Sequence, residues 1–280
     1  MDNYQLTQDQ ITAYGACLRT EEHTPSTIEK YLRDTRAFAV WLEGRPVTRE
    51  LAAEWRDRLL SSGHKPSTVN SMLAAVNGLF RFLGWGIRVK FLKVQRRLFR
   101  DQSRELTRGE YDLLVNTARA AGKERLALLM EAVCATGVRV SEVKYLTVEA
   151  AQCGRAEIAL KGKIRTILLP NKLCRKLLKY ARKQKIASGE IFLTRSGASL
   201  SRRQIWAEMK QLCKATGVAP EKVYPHNLKH LFARTFYQAC KDIARLADVL
   251  GHSSIETTRI YLVTTGAEQV RQLDRLGLVS

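Results

Sequence analysis

The 280-residue sequence predicts a mainly α-helical protein with one small β-sheet, divided into two domains. Three observations carry that expectation. Apolar residues recur at helical spacing along most of the chain, as in Leu73, Val76, Leu79, Phe80 and Leu83. A hairpin signal, Lys161-Gly162-Lys163, lies between short runs of β-formers at 156–160 and 166–169. A basic stretch, 88–108, separates a helical N-terminal third from the rest. In it Arg88, Lys90, Lys93, Arg96, Arg97, Arg100, Arg104 and Arg108 are opposed only by Asp101 and Glu105.

The first domain, 1–97, opens with a helix over 6–19. Thr24-Pro25-Ser26-Thr27 then offers a cap and a proline at the first turn for a helix reaching residue 41. A third helix runs from Val47-Thr48 to Leu60. His64-Lys65-Pro66-Ser67-Thr68 repeats the Pro-Ser-Thr opening for a fourth, which passes through Phe82 and ends at Gly84 and Gly86. Residues 98–105 read as a basic linker.

The second domain, 106–280, begins with the capping-box pattern Thr107-Arg108-Gly109-Glu110. A helix over 126–134, a Thr-Gly turn, the segment 138–145 and the hairpin follow. Helices are then expected over 173–184, 201–216, 225–240, 242–250 and 255–263, with a last amphipathic one over 267–276 carrying Val270, Leu273 and Leu276.

Lys and Arg number 47 against 27 Asp and Glu, a formal charge of +20, while 45% of residues are hydrophobic. A folded protein with that excess favours a polyanion, since each neutralised phosphate releases condensed counterions. Steep loss of affinity with salt is therefore expected. No basic-then-apolar leader pattern and no bilayer-length apolar run occurs. The six cysteines (Cys17, Cys134, Cys153, Cys174, Cys213, Cys240) form no CxxC pair, so neither a zinc site nor a disulfide framework is indicated. They read as reduced residues, most of them in apolar helical surroundings.

Three of the five histidines fall in one short window: His226-Asn227-Leu228-Lys229-His230, then Leu250-Gly251-His252, followed by Tyr261. Upstream lies Ala135-Thr136-Gly137-Val138-Arg139-Val140-Ser141-Glu142. A tyrosine near several cations in a basic protein suggests nucleophilic attack on a phosphodiester. Each residue also has a plainer reading. Tyr261 alone would be a packed ring with its hydroxyl hydrogen-bonded. Arg139 could simply pair with Glu142 three residues on. Lys229 could be a surface lysine. His226 and His230, four apart on a helix, could ligate a metal, but the His-Glu-x-x-His pattern is broken by Asn227, so no metal is expected and His230 reads as structural.

Taken together in this order and spacing, the motifs resemble the tyrosine recombinase/phage integrase family, over nearly the whole chain. Ala135 to Glu142 resembles its first arginine box, Lys161 its hairpin lysine, His226-Asn-Leu-Lys-His its His-x-x-Arg box, and Leu250 to Tyr261 its final box, with His252 nine residues before the tyrosine. The two Pro-Ser-Thr helices resemble its small core-binding domain. The resemblance implies a C-shaped clamp on double-stranded DNA: a helical core-binding (SAM-like) domain and a mixed α/β catalytic domain, as in simple Xer-type recombinases and mobile-element integrases. It implies site-specific recombination through a 3′-phosphotyrosyl intermediate, with no metal, ATP or other cofactor.

The same resemblance assigns roles. Tyr261 is the nucleophile, Arg139 and Lys229 hold the scissile phosphate, His226 assists proton transfer and His252 hydrogen-bonds the phosphate. Lys161 protonates the leaving oxygen, with Lys163 as its rival, and Glu142 supports the site. Arg88, Lys90, Lys93, Arg96, Arg97, Arg100, Lys163 and Arg165 are candidate DNA contacts. The C-terminal helix either packs on its own domain or enters a neighbour in a synaptic homo-tetramer. A cytoplasmic bacterial or phage-encoded protein is implied. No arm-binding domain is expected ahead of the first helix, unless one was removed. One position departs from the family pattern: Lys229 stands where an arginine is usual. Charge is kept, but the planar fork that grips two phosphate oxygens is lost. A catalytically attenuated or purely DNA-binding member is thus the alternative. A relaxing topoisomerase shares the cleavage chemistry without needing a partner duplex. A helix-turn-helix repressor would not need this set of residues.

Overall fold

The computed structural model describes residues 4–94, 102–160, 163–261, 270–271 and 274–277. Lys161, Arg96, Arg97, Arg100 and half of the expected C-terminal helix, including Leu273, lie outside the described residues, as does the side chain of Lys163. The chain divides into two compact units, Met1–Arg96 and Arg97–Ser280.

In the first unit four helices are α1 (Gln8–Thr20), α2 (Pro25–Leu42), α3 (Arg49–Ser61) and α4 (Pro66–Phe82). Thr7 and Gln10 close a capping box at the start of α1. The Pro-Ser-Thr openings behave differently from the expected cap. Thr24 and Lys65 hold extended backbone before each proline, but neither side chain caps its helix. The Thr24 hydroxyl instead meets the hydroxyls of Ser26 and Thr27. Phe38 is the centre of the core, edge-on to Trp55 at 5.0 Å and to Phe80 at 5.7 Å. Beyond α4 the chain has no regular secondary structure, and two asparagines seven residues apart on α4 hold it. Asn77 bonds both N and O of Val89, and Asn70 both N and O of Leu92, all at 2.8–2.9 Å. Ile87 and Val89 therefore point inward, and Arg88, Lys90 and Lys93 are exposed.

The second unit contains α5 (Arg108–Ala120), α6 (Glu124–Thr136), a 3₁₀ segment Val140–Tyr145, α7 (Val148–Cys153), β1 (Arg155–Leu160), β2 (Lys163–Leu168), α8 (Asn171–Lys183), α9 (Arg202–Thr216), α10 (Pro225–Cys240), α11 (Ile243–Leu250) and α12 (Ile255–Arg259). The Thr107–Glu110 capping box forms as expected. Helix α6 is the central rod, packed by α5, α8, α9 and α10. Leu126, Ala127, Leu128, Leu129, Met130 and Val133 are all buried, while Glu131 on the same helix pairs with Lys176 and Arg119. Each of the buried Leu, Met and Val side chains contributes about 1.5–3 kcal/mol of transfer free energy. The strands pair antiparallel, with Ile158 opposite Arg165 and Leu160 opposite Lys163. Among the described residues, no helix is long and apolar enough to cross a membrane.

Differences from the sequence expectations are local. Helix α7 was not anticipated, because six residues are too few to display a period. Helix α12 stops at Arg259 rather than continuing to 263; Tyr261 lies in the turn beyond it, its N–H bonded to the Thr258 carbonyl three residues back. Cys153 and Cys240 are exposed, whereas Cys174 and Cys213 are buried as free thiols.

Candidate active site

Helix α6 ends at Gly137, whose φ of 65° is left-handed. A Cβ there would sit 2.6 Å from the Phe232 ring and 2.9 Å from Leu250, so glycine lets the turn press against α10 and α11. This turn delivers Arg139. Its backbone N–H donates to Glu142 Oε2 at 2.8 Å, and its guanidinium meets Oε1 at 2.9 Å. Arg139 thus makes the plain i,i+3 salt bridge and lines a cleft at the same time.

That cleft, of about 700 Å³, is bordered by Arg139, Ser141, Arg202, Trp206, His226, Lys229 and Tyr261, among others. Pro225 opens α10, and its missing N–H costs nothing at the first turn. Asn227 fixes the helix start, donating to the carbonyls of Arg104 and Lys222, both at 2.7 Å. Arg234, two turns on, donates to the Leu106 carbonyl and pairs with Glu105. The helix so anchored presents His226, Lys229 and His230.

Lys229 is not a surface lysine: it is 2% exposed, and its Nζ has no hydrogen-bond partner among the described residues. Burial, then repulsion from Arg139 and Arg165, pulls its pKa down to about 7, against an opposing pull from Glu142. A buried ammonium without an acceptor is expensive unless an anion completes it.

Glu142 is buried between two guanidiniums, Arg139 and Arg165, the latter at 2.5 Å from Oε2. Burial raises its pKa. The Arg139 N–H and the charges of Arg165 and Arg139 outweigh that and leave it below the usual carboxylate value. Arg165, expected among the DNA contacts, is turned inward instead: besides Glu142 it donates to the Leu250 carbonyl. An inward β2 position next to a buried carboxylate explains the difference.

Tyr261 is 4% exposed and packs with Ala233, Leu246 and Leu250. Three imidazoles surround its ring: His230 edge to face at 4.5 Å, His252 stacked at 5.8 Å and His226 at 6.1 Å. Burial raises the phenol pKa, partly offset by Arg139. His252 Nδ1 lies 2.9 Å from the buried Thr258 hydroxyl. Burial and the charges of Lys229 and Arg139 lower His252 to about 4. Burial, His226 and Arg234 lower His230 to about 3. Burial, then Lys229, lowers His226 as well. Neutral imidazoles therefore face the phenol at neutral pH.

Arg139, His226, Lys229, His230, His252 and Tyr261 thus come together. Arg88, Lys90 and Lys93 belong to the other unit. Sequence reading passed over Arg202, Arg203, Trp206 and Tyr224, which also line the cleft. A signal was present. Arg202 and Arg203 open α9 with no acidic residue in its first turn, the end where the helix dipole disfavours cations.

The sequence matches the phage integrase family over residues 104–267 and the phage integrase N-terminal SAM-like domain over 11–86. It is 31% identical to the tyrosine recombinase XerC of Roseiflexus castenholzii, covering 90% of this chain and 88% of that protein. It is 25% identical to the tyrosine recombinase XerA of Pyrococcus furiosus, covering 98% and 96%. Among solved structures, a lambda integrase tetramer bound to a Holliday junction superposes with a TM-score of 0.74 at 18% identity, covering 93% of this chain and 78% of that one. The Tn1549 transposon integrase in complex with transposon right end DNA gives 0.70 at 16% identity, covering 96% and 99%. The two structural matches establish the shared fold.

Proposed function

From the chain's membership of the phage integrase family, we propose that it is a site-specific DNA recombinase with Tyr261 as its nucleophile. One observation carries the assignment to this cleft: the buried ammonium of Lys229, without an acceptor among the described residues, beside Arg139 and the phenol of Tyr261. A phosphodiester supplies the missing acceptor, and the phenol supplies the attacking oxygen.

In the step so assigned, the Tyr261 oxygen forms a bond to phosphorus and the 5′ oxygen leaves. A 3′-phosphotyrosyl link stores the bond energy for religation, so neither ATP nor metal is needed. Arg139 and Lys229 take the non-bridging oxygens and stabilise the charge that builds there. Neutral His226 accepts the phenolic proton, and His252 donates to the phosphate. Lys161 is assigned the proton for the leaving oxygen, on resemblance alone. Double-stranded DNA is the substrate, and a synaptic homo-tetramer in the cytoplasm is the acting form.

Lys229 supports a second reading, that of an attenuated or purely DNA-binding member. An ammonium with a pKa of about 7 is only partly charged at neutral pH, and it lacks the bidentate fork of arginine. Covalent trapping on nicked suicide duplexes from the native flanking DNA separates the two. A protein–DNA adduct that disappears in Tyr261→Phe while binding persists supports the recombinase. Tight binding with no adduct, from either the parent or Lys229→Arg, rules out the nucleophile.

A further inference from the structure

Resting on that reading, we infer that Arg165 is a positioning residue that locks the Arg139 box, the hairpin and the His252 turn into one frame. It comes from the middle of β2, opposite Ile158. One arm of its guanidinium reaches Glu142 Oε2 at 2.5 Å, and Glu142 in turn holds Arg139 through backbone and side chain. The other arm donates to the carbonyl of Leu250, the last residue of α11. That carbonyl is one of those a helix end leaves without a partner.

The chain leaves room for this contact at the next residue. Gly251 has φ 63°, and a Cβ there would stand 2.4 Å from Arg165 Cδ and 2.5 Å from its terminal nitrogen. A side chain there would be strained at this left-handed φ and would have to displace the Arg165 side chain. Immediately after it comes His252, whose ring is oriented by Thr258. One side chain thus links its own hairpin to two other segments of the cleft, 23 and 85 residues away in sequence. Lys229 is faced by Arg139, Glu142 and Arg165, and His226 lies one helical turn before it. Removing Arg165 therefore changes the field at Lys229 as well as the geometry.

The test compares Arg165→Gln, Arg165→Lys and Gly251→Ala with the parent full-length chain. Two measurements are made: single-turnover adduct formation on nicked duplexes, and NMR titration of the Lys229 side chain in the DNA-free protein. Arg165→Gln is expected to keep the fold and DNA affinity, and to slow adduct formation by up to on the order of a hundredfold, as small misplacements of reacting groups do. The Lys229 midpoint should move to higher pH in Arg165→Gln and remain near that of the parent in Arg165→Lys. Gly251→Ala should slow the step without removing the charge, and the double variant Arg165→Gln/Gly251→Ala should be no slower than the worse single one. An unmoved Lys229 midpoint with an unchanged rate overturns the inference, as does strict additivity in the double variant. A parent that forms no adduct counts against the recombinase reading, while the titration still decides whether Arg165 sets the field of the cleft.

Discussion

His230 and Tyr261 meet edge to face, their ring centroids 4.5 Å apart and their planes at 61°. His230 also touches the His226 ring, at 4.6 Å. With a pKa near 3 it stays neutral at physiological pH and acts here as an aromatic plate. Edge-to-face pairs are worth about 0.5–1.5 kcal/mol beyond burial. His230→Ala should lower stability by at least that much and slow adduct formation, whereas His230→Phe should restore most of both. Adduct formation as slow in His230→Phe as in His230→Ala would show that a ring nitrogen, not the ring contact, matters.

Lys229→Arg should change the pH profile. The Lys229 ammonium is present below its pKa and lost as pH rises through about 7. Cleavage should therefore decline on the alkaline side in the parent. Arginine stays protonated throughout, so this limb should vanish in the variant. Stability follows the opposite sign. The folded pKa lies below the ordinary 10.5, so this group's contribution to folding grows as pH rises from about 7 towards 10.5. Profiles of adduct rate against pH for the two proteins, measured side by side, check the first claim. Coincident alkaline limbs would refute it.

Thr258→Val removes the hydroxyl that holds His252 Nδ1 at 2.9 Å and keeps the side-chain shape. One buried hydrogen bond contributes about 0.5–1.5 kcal/mol. Expressed wholly in the transition state, that corresponds to a slowing of a few-fold to about tenfold. His252→Ala, which deletes the group itself, should cost at least that much. Single-turnover kinetics on nicked duplexes would rank them; a Thr258→Val enzyme slower than His252→Ala would count against the orienting role.

Gly137→Ala combines two penalties. A left-handed alanine costs about 1–2 kcal/mol, and overpacking against Phe232 and Leu250 about 1–3 kcal/mol. Urea denaturation should show a loss of roughly 2–5 kcal/mol. A change below about 0.5 kcal/mol, the range of ordinary surface substitutions, would mean that the turn repacks freely.

Much of the helical layout was legible because helical periodicity is local. The apolar positions of α4 and the capping box at Thr107 depend on neighbours within a turn or two, and they appear where the spacing puts them. The motif residues Arg139, His226, Lys229, His252 and Tyr261 were readable for a different reason, as a set of residue types in fixed order. Short elements were not legible. Helix α7 has too few residues for a period, and α12 ends before the tyrosine that the sequence placed on it.

By itself the sequence determined the helical class, the strongly basic character and the identity of the chemical groups. Tertiary structure alone decided what surrounds them. It left the Lys229 ammonium buried without an acceptor among the described residues, turned Arg165 inward between Glu142 and Leu250, and brought Arg202 and Trp206 to the same cleft. The physical reason is distance along the chain. Hydrophobic period and capping chemistry are set by residues three or four apart. Burial, charge repulsion and the space left by a missing Cβ arise between segments tens of residues apart that meet only when the core closes.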